Sequence, residues 1–335
     1  MRRVLRLLAC VAALLLAASG SRADPPAVRL AWSVMPGELA PVIFAAKPEL
    51  AHHNGKTYVF SPVHIAASPQ MIQGLAANEI DIAAFAFSSF PLAVENAGMT
   101  DLRIIADESQ DGVAGYYSDE AKVRNDSGIS RVEDLKGKVL ATTGFGAASD
   151  IALRAMLTRH GLNPMKDVTI IQAAYANMPA VLKERKADLV TAIPPFAFDP
   201  ELLAISHTLY TGKDAMGPTE KIFWAARKEF LARNRAAVID FMEDFMRAQR
   251  WFLDPANRAA ALKIVADFTK RPPAYYDGYV WTKRDYYRDR RGLPNLEALQ
   301  HSIDLQVQLG ILKAPLDVKA YSDLSLVKQA AARLD

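Results

Sequence analysis

The chain has 335 residues, 51% hydrophobic and 23% charged, with 19 Pro and 17 Gly; this ordinary globular composition excludes disordered, collagenous and low-complexity classes. At about 150 residues per domain, that length suggests about two domains, each large enough to bury its own core. The 40 basic residues outnumber the 37 acidic ones only because of Arg2, Arg3, Arg6 and Arg22. Without those four the balance is 36 against 37, so bulk charge gives no reason to expect nucleic acid as a partner.

The first 23 residues read as a secretory leader. Met1-Arg2-Arg3 is a positive start, Leu7–Ala18 is an apolar run of 12 residues, and Ser21-Arg22-Ala23 places small residues where a signal peptidase needs them. Twelve helical residues rise only about 18 Å, too short for a membrane anchor. Cleavage is expected near Ala23, with Asp24 as the first mature residue and a periplasmic destination. No later apolar run spans a bilayer, so the mature chain is expected to be soluble. The single cysteine, Cys10, lies inside the leader, so the mature chain would carry no disulfide, thiolate metal site or cysteine nucleophile.

In chain order, residues 28–33 read as a strand and Leu39–His53 as a helix, followed by a strand near Tyr58–Phe60. Helices over Pro69–Asn78 and Ser88–Ala97 alternate with strands at Ile80–Ala86 and Leu102–Ala106. A second series runs from a turn at Val132–Leu135 through strand Lys138–Thr142, helix Ala147–His160, strand Val168–Gln172, helix Met178–Lys186 and strand Asp188–Ile193. Such alternation predicts parallel sheets with helices on their faces. Beyond a strand at Ile222–Ala226 the pattern becomes helical: Phe230–Phe252, Pro255–Phe268, Tyr276–Tyr287 and Leu296–Leu309.

The two series echo one another. Gly74–Pro91 and Val181–Phe196 each run helix, Asp, apolar strand and turn, with seven residues from Asp81 to Ser88 and from Asp188 to Pro195. Two similar lobes offering strand ends to a shared cleft would produce this, since ligands of open α/β sheets bind at the carboxyl ends of strands.

The strongest local constellation is Thr142 to Asp150, a glycine turn between a strand and a helix. Gly144 and Gly146 allow close backbone approach, and a helix start favours a small anion or polar group. The spacing is GxGxxS, and no GKS or GKT follows, so dinucleotide and P-loop readings fail. Ser88-Ser89 occupies the equivalent place in the first series, and Trp32-Ser33 ends the first strand, where Trp32 could form an apolar wall. His52-His53 lacks metal-ligand spacing. No HExxH or GxSxG motif occurs among the six histidines and their neighbours, so no catalytic residue, metal or cofactor is assigned. Tyr275–Arg291 interleaves aromatic and basic residues, but its aspartates point to an amphipathic helix face.

The stretch SRVEDLKGKVLATTGFGAASDIALRAMLTRHGLNPMKDVTII, continued by MPAVLKERKADLVTAIPPF, resembles the periplasmic substrate-binding proteins of ABC transporters, of the nitrate/sulfonate/taurine type. MIQGLAANEIDIAAFAFSSFPLAVENAGMTDLRIIA is similar to the first-lobe counterpart, and the likeness extends over nearly the whole chain. It implies an α/β fold of the bilobal type II periplasmic-binding class, two α/β lobes joined by two hinge strands near Gly112–Tyr117 and His207–Gly212. Residues 1–23 would be the leader, 24–115 with 213–335 the first lobe, and 116–212 the second. Ligand contacts would come from Trp32, Ser33, Ser88, Ser89, Phe145, Gly146, Ala147, Pro194 and Pro195. The implied role is that of a non-enzymatic, monomeric carrier of a small organic anion, a sulfonate or carboxylate, delivered to an inner-membrane ABC permease with its cytoplasmic ATPase. Two rivals stand beside it: a carrier of a neutral heteroaromatic such as a pyrimidine vitamin precursor, sandwiched by Trp32 and Phe145, and an enzyme on the same fold.

Overall fold

The structure is a computed structural model that describes residues 24–33, 37–38, 44–65 and 68–335. The leader and part of the stretch 39–53 lie outside the described residues. Two five-stranded sheets organise the chain. The first has the order β2-β1-β3-β10-β4, built from β1 (Ala27–Trp32), β2 (Val59–His64), β3 (Ile82–Ala86), β4 (Leu102–Asp111) and β10 (Thr219–Arg227). The second has the order β7-β6-β8-β5-β9, from β5 (Glu120–Arg124), β6 (Val139–Thr142), β7 (Thr169–Gln172), β8 (Leu189–Ala192) and β9 (Ser206–Thr211).

The sheets share one plan. Three strands run parallel, and the fourth position holds a strand antiparallel to both neighbours: β10 between β3 and β4, and β5 between β8 and β9. β5 is the first strand after the chain leaves the first sheet, and β10 is the first after it returns. The sequence echo has a physical basis here. Asp81 accepts the backbone N–H of Arg29 at 2.9 Å, and Asp188 accepts that of Val139 at 3.0 Å. Each aspartate precedes a parallel strand and satisfies a donor at the start of its neighbour, one that the ladder leaves unpaired.

Twelve α-helices and several shorter 3-10 turns cover the sheets among the described residues: α1 (Ser68–Ala76), α2 (Phe90–Ala97), α3 (Ala148–Arg159), α4 (Met178–Lys183), α5 (Pro200–Ile205), α6 (Gly212–Met216), α7 (Lys228–Arg233), α8 (Arg235–Leu253), α9 (Arg258–Thr269), α10 (Ala274–Asp277), α11 (Leu296–Gln308) and α12 (Ser325–Ala332). No described helix is long and apolar enough to cross a membrane. Strand alternation sorts the core: Trp224 and Ala226 of β10 join the cluster under α8, whereas Phe223 and Ala225 join a second cluster that continues into the other sheet through Val123 and Leu140. On α8, Val238, Phe241, Met242, Phe245 and Phe252 repeat at helical spacing and are buried, with Phe245 4.4 Å and Phe241 5.3 Å from Trp224 between ring centroids.

Three expectations change. The helix read over Phe230–Phe252 breaks at Asn234 into α7 and α8. That over Tyr276–Tyr287 is only the short α10: Trp281 takes a left-handed φ of 55°, and the following chain buries Tyr279, Asp285, Tyr286 and Arg288 instead of exposing a polar face. Strand β5 had not been read, and β9 had been read only as a hinge strand near His207–Gly212. Their charged residues find partners inside the sheet, as where Lys122 meets Glu120 at 2.9 Å and Thr208 at 3.1 Å.

A buried carboxylate ties α8 to the loop before β2. Asp244, fully buried, accepts the N–H groups of His52 and His53 at 3.0 and 2.8 Å, the Tyr58 hydroxyl at 2.8 Å and the Arg247 guanidinium at 2.6 Å. Removing it takes the acceptor from two backbone N–H groups and the buried Tyr58 hydroxyl, while Arg247 keeps Glu243 and the Leu50 carbonyl. Asp244→Ala is therefore expected to cost about 3–5 kcal/mol of unfolding free energy, while Tyr58→Phe, which removes one donor, costs about 1 kcal/mol, both read from urea denaturation.

Candidate functional site

The carboxyl ends of the parallel strands in both sheets point at one another, and the antiparallel strands begin at those same edges. A partly open cavity of about 30 Å³ lies between them. The first sheet supplies Phe87 after β3, Asp111 at the end of β4, and Thr219 and Lys221 at the start of β10. The second supplies Asp119 and Glu120 at the start of β5, Ser149 on α3, Thr191 on β8 and Tyr210 on β9, with Tyr175 before α4. The space holds about two waters.

Polar groups of unusual density hold this edge together. The Lys221 ammonium, 8% exposed, pairs with the Asp119 carboxylate, which also accepts the Tyr286 hydroxyl at 2.5 Å. Lys221 lies 4.7 Å from the centre of the Tyr286 ring. Asp111 accepts the Ser118 hydroxyl at 2.5 Å and the Asp119 N–H at 2.8 Å, and Ser118 in turn accepts the N–H of Lys213 at 2.8 Å. The first crossing is thereby bonded to the Asp111 carboxylate, and the second is tied to it through Ser118.

Burial pushes Asp111 up to about 7, helped by the charge of Asp119 and opposed by Lys221. Burial pulls the Lys221 ammonium down, yet Asp119 and Asp111 outweigh it and hold the group above its ordinary value. Burial raises the Tyr175 hydroxyl, which sits beside Ser149 and Thr143. Just behind, burial also drives Asp107 and Glu220 up, and the charge of Asp107 raises Glu220 further. They receive the N–H groups of Asp289 and Asn295 at 2.8 and 2.7 Å, which docks the segment after α10 across the crossings. Among the titratable groups lining the cavity, three carboxylates face one ammonium.

The residues named from sequence fall around this cavity. Ser88 is buried directly after the lining residue Phe87, and Ser89 turns its hydroxyl back to the Ala86 carbonyl at 3.1 Å. Gly146 and Ala147 precede the lining residues Ala148 and Ser149. Gly146 has the left-handed φ of 73° that favours glycine, but its N–H is taken by the chain's own Asp150 at 2.9 Å, and Asp150 pairs with Arg154 at 2.8 Å. The position read as an anion seat thus already holds a carboxylate. Pro194 and Pro195 are buried and follow the lining residue Ile193.

Trp32, Ser33 and Phe145 are not among the lining residues. Trp32 packs on His64 and Phe268 at 4.5 and 6.0 Å, and the Ser33 hydroxyl donates to Glu38 at 2.7 Å. Phe145 is 68% exposed under the Arg154 guanidinium. Sequence reading had passed over Asp111, Asp119, Tyr175, Tyr210 and Lys221. A signal existed: Asp107-Glu108-Ser109-Gln110-Asp111 extends an apolar strand with five polar residues, and Glu220-Lys221 opens another, a pattern a core strand keeps only when its polar groups find partners.

The NMT1-like family model matches residues 21–266. Over 142 residues the chain is 22% identical to YtlA of Bacillus subtilis (strain 168), which bears a binding-protein name; the match covers 42% of this chain and 42% of that relative, less than half its length. The fold is similar to that of the periplasmic aliphatic sulphonate binding protein SsuA from Escherichia coli, with a TM-score of 0.72 and 20% identity over 91% of this chain and 99% of that one. It is also similar to that of the periplasmic nitrate-binding protein NrtA from Synechocystis PCC 6803, with a TM-score of 0.69 and 16% identity over 92% and 89%. The desulfurization enzyme DszB shares the fold as well, at a TM-score of 0.68 and 12% identity over 92% and 100% of the two chains. Since the family model spans most of the sequence, and the two five-stranded sheets are those of a type II periplasmic binding protein, the chain belongs to the NMT1-like family.

Proposed function

We propose that the protein is the periplasmic solute-binding component of an ABC importer and that its ligand is a small heteroaromatic bearing N–H donors. The mature chain, freed of residues 1–23, divides into a lobe of 24–115 with 213–335 and a lobe of 116–212, hinged at the two crossings. Solute bridging the facing strand ends favours the closed arrangement, which a membrane permease then reads. The binding role draws support from the SsuA and NrtA likeness. The ligand class rests on one observation: the cavity lining offers no unpaired cation among the described residues, since Lys221 is paired with Asp119 and Lys122 with Glu120, whereas Asp111 is held only by a hydroxyl and a backbone N–H.

A sulfonate or carboxylate would meet a surplus of negative charge there, with no unpaired cation to receive it. A ring with amino groups would instead donate to carboxylates and lie against Tyr175, Phe87 and Tyr210. The hydroxyl of Tyr210 is buried with no partner of its own and offers one more polar contact.

A thermal-shift screen of the purified protein decides between the classes. An aminopyrimidine at a hundred times its dissociation constant should stabilise the native state by about 2.7 kcal/mol, while alkanesulfonates and simple carboxylates leave the melting temperature unmoved. A sulfonate that stabilises the protein while the pyrimidines do not would overturn the ligand class. Turnover of the bound compound would overturn the non-enzymatic reading.

The affinity should also depend on pH. A ligand that donates to Asp111 favours its charged form, so binding releases a proton wherever Asp111 is protonated beforehand. Affinity is then highest above about pH 7 and falls by up to tenfold per pH unit below it. Calorimetric titration across that range should show the slope, and Asp111→Asn should flatten it.

A further inference from the structure

The first sheet has a second edge, about 30 Å along β4 from the cavity, where Arg103 opens β4 and Arg227 closes β10. Two pockets flank α7 there. One, of about 120 Å³, is lined by Arg29, Arg227 and Arg233. All three are neutralised: Arg29 by Asp81 at 2.7 Å, Arg227 by Asp101 at 2.8 Å and Arg233 by Glu229 at 2.9 Å. The other is different.

This larger pocket, of about 350 Å³, is lined by Arg103, Lys228, Leu231, Arg235, Ser322 and Asp323, with Ala232. Its volume is that of a small-molecule site. Arg103 has no carboxylate partner among the described residues; it donates to the carbonyls of Thr100 and Leu102 and stands 5.5 Å from the centre of the Tyr321 ring. Lys228, on the exposed side of α7, makes no ion pair among the described residues. Arg235 donates to Ser325 at 2.8 Å and reaches the single acid of the pocket, Asp323, only at 3.6 Å. Three cations therefore face one carboxylate, which is itself held by the Ser325 N–H at 3.1 Å and the Ser325 hydroxyl. Arg235 also opens the 19-residue helix α8, whose first turn contains no acid and whose Asn234 supplies no side-chain cap. The positive end of that helix adds to the same field.

We propose that this pocket is a second binding site, separate from the cleft, that takes a phosphate group, either free or as the monoester of a small molecule. A dianion matches the surplus of two positive charges. The planar donor forks of Arg103 and Arg235 suit a phosphoryl group better than a monoanionic carboxylate. The apolar wall from Leu231 leaves room beside the phosphoryl group for an organic substituent. The assignment is independent of the ligand class proposed for the cleft.

Calorimetric titration of the full chain with inorganic phosphate and with phenyl phosphate tests it. Binding is expected at millimolar concentration or better; tighter binding of the ester identifies a phosphorylated small molecule, and equal binding identifies free phosphate. Lys228→Gln, on an exposed position that the fold does not need, should weaken the interaction about tenfold, and Arg103→Gln should do the same. Melting temperatures without phosphate report whether either variant disturbs the fold. The proposal is overturned if neither phosphate compound binds. It is equally overturned if binding survives Lys228→Gln unchanged and is lost in Lys221→Met, since that places the phosphate in the cleft.

Discussion

Everything at the cleft depends on the antiparallel strand in the fourth position of each sheet. A chain that builds a sheet from parallel strands brings only their carboxyl ends to one edge. By returning through β10, and by entering the second sheet through β5, this chain also brings two strand beginnings to that edge. Glu220 and Lys221, Asp119 and Glu120 are there because they open those strands. The same two strands follow the crossings directly, so the residues facing the cavity and those on which the sheets would pivot are nearly the same. On the proposed reading, ligand contact and hinge geometry would be coupled through a few residues, without a relay through the cores.

That economy puts much unneutralised carboxylate under cover, which a fold tolerates only with partners for each oxygen. Asp111 is held by Ser118 and a backbone N–H, and Asp119 by Lys221 and Tyr286. Asp107 and Glu220 receive two N–H groups from the segment after α10. The long irregular stretch between α10 and α11 becomes intelligible on this view. Its backbone donors and Tyr286 are what the acids at the crossings require, and a regular helix would have spent those N–H groups internally. Asp285 and Arg288, paired at 3.1 Å and both buried, fix the stretch in turn.

The sequence made most of the parallel strands legible because they are short, largely apolar and alternate with helical segments. Even the paired aspartates Asp81 and Asp188 could be singled out before their common role as acceptors at a strand entry was visible. β5 was not legible. Its alternation of Glu120, Lys122 and Arg124 with Ala121 and Val123 reads as a solvated segment until Thr208 and Ala192 are known to lie alongside. The cavity lining passes within a residue or two of the named Ser88 and Ala147, at Phe87 and Ser149, and leaves out Trp32, Ser33 and Phe145. Its chemistry was missed because a strand-end motif suggests backbone donors, and the charged groups come from the strands entering the same edge. At the glycine turn, Asp150 lies four residues beyond Gly146, within reach of its N–H, and only the folded turn reveals that it takes the place read as open to an anion.

The two edges of the first sheet also differ in sign, and the difference follows from where the compensating charge sits. At the cleft, each added charge is met by a partner from another segment, and the lining balance remains acidic. At the opposite edge, Arg29, Arg227 and Arg233 are answered by acids, whereas Arg103 and Lys228 are not. Mobile ions screen charges beyond about 8 Å at physiological salt, and the two edges lie several such lengths apart. Neither field reaches the other site with appreciable strength. An anion near the back of the lobe therefore feels the cations there and little of the carboxylates around the cavity, and a solute in the cavity feels the reverse. One sheet can thus hold sites of opposite preference without either weakening the other.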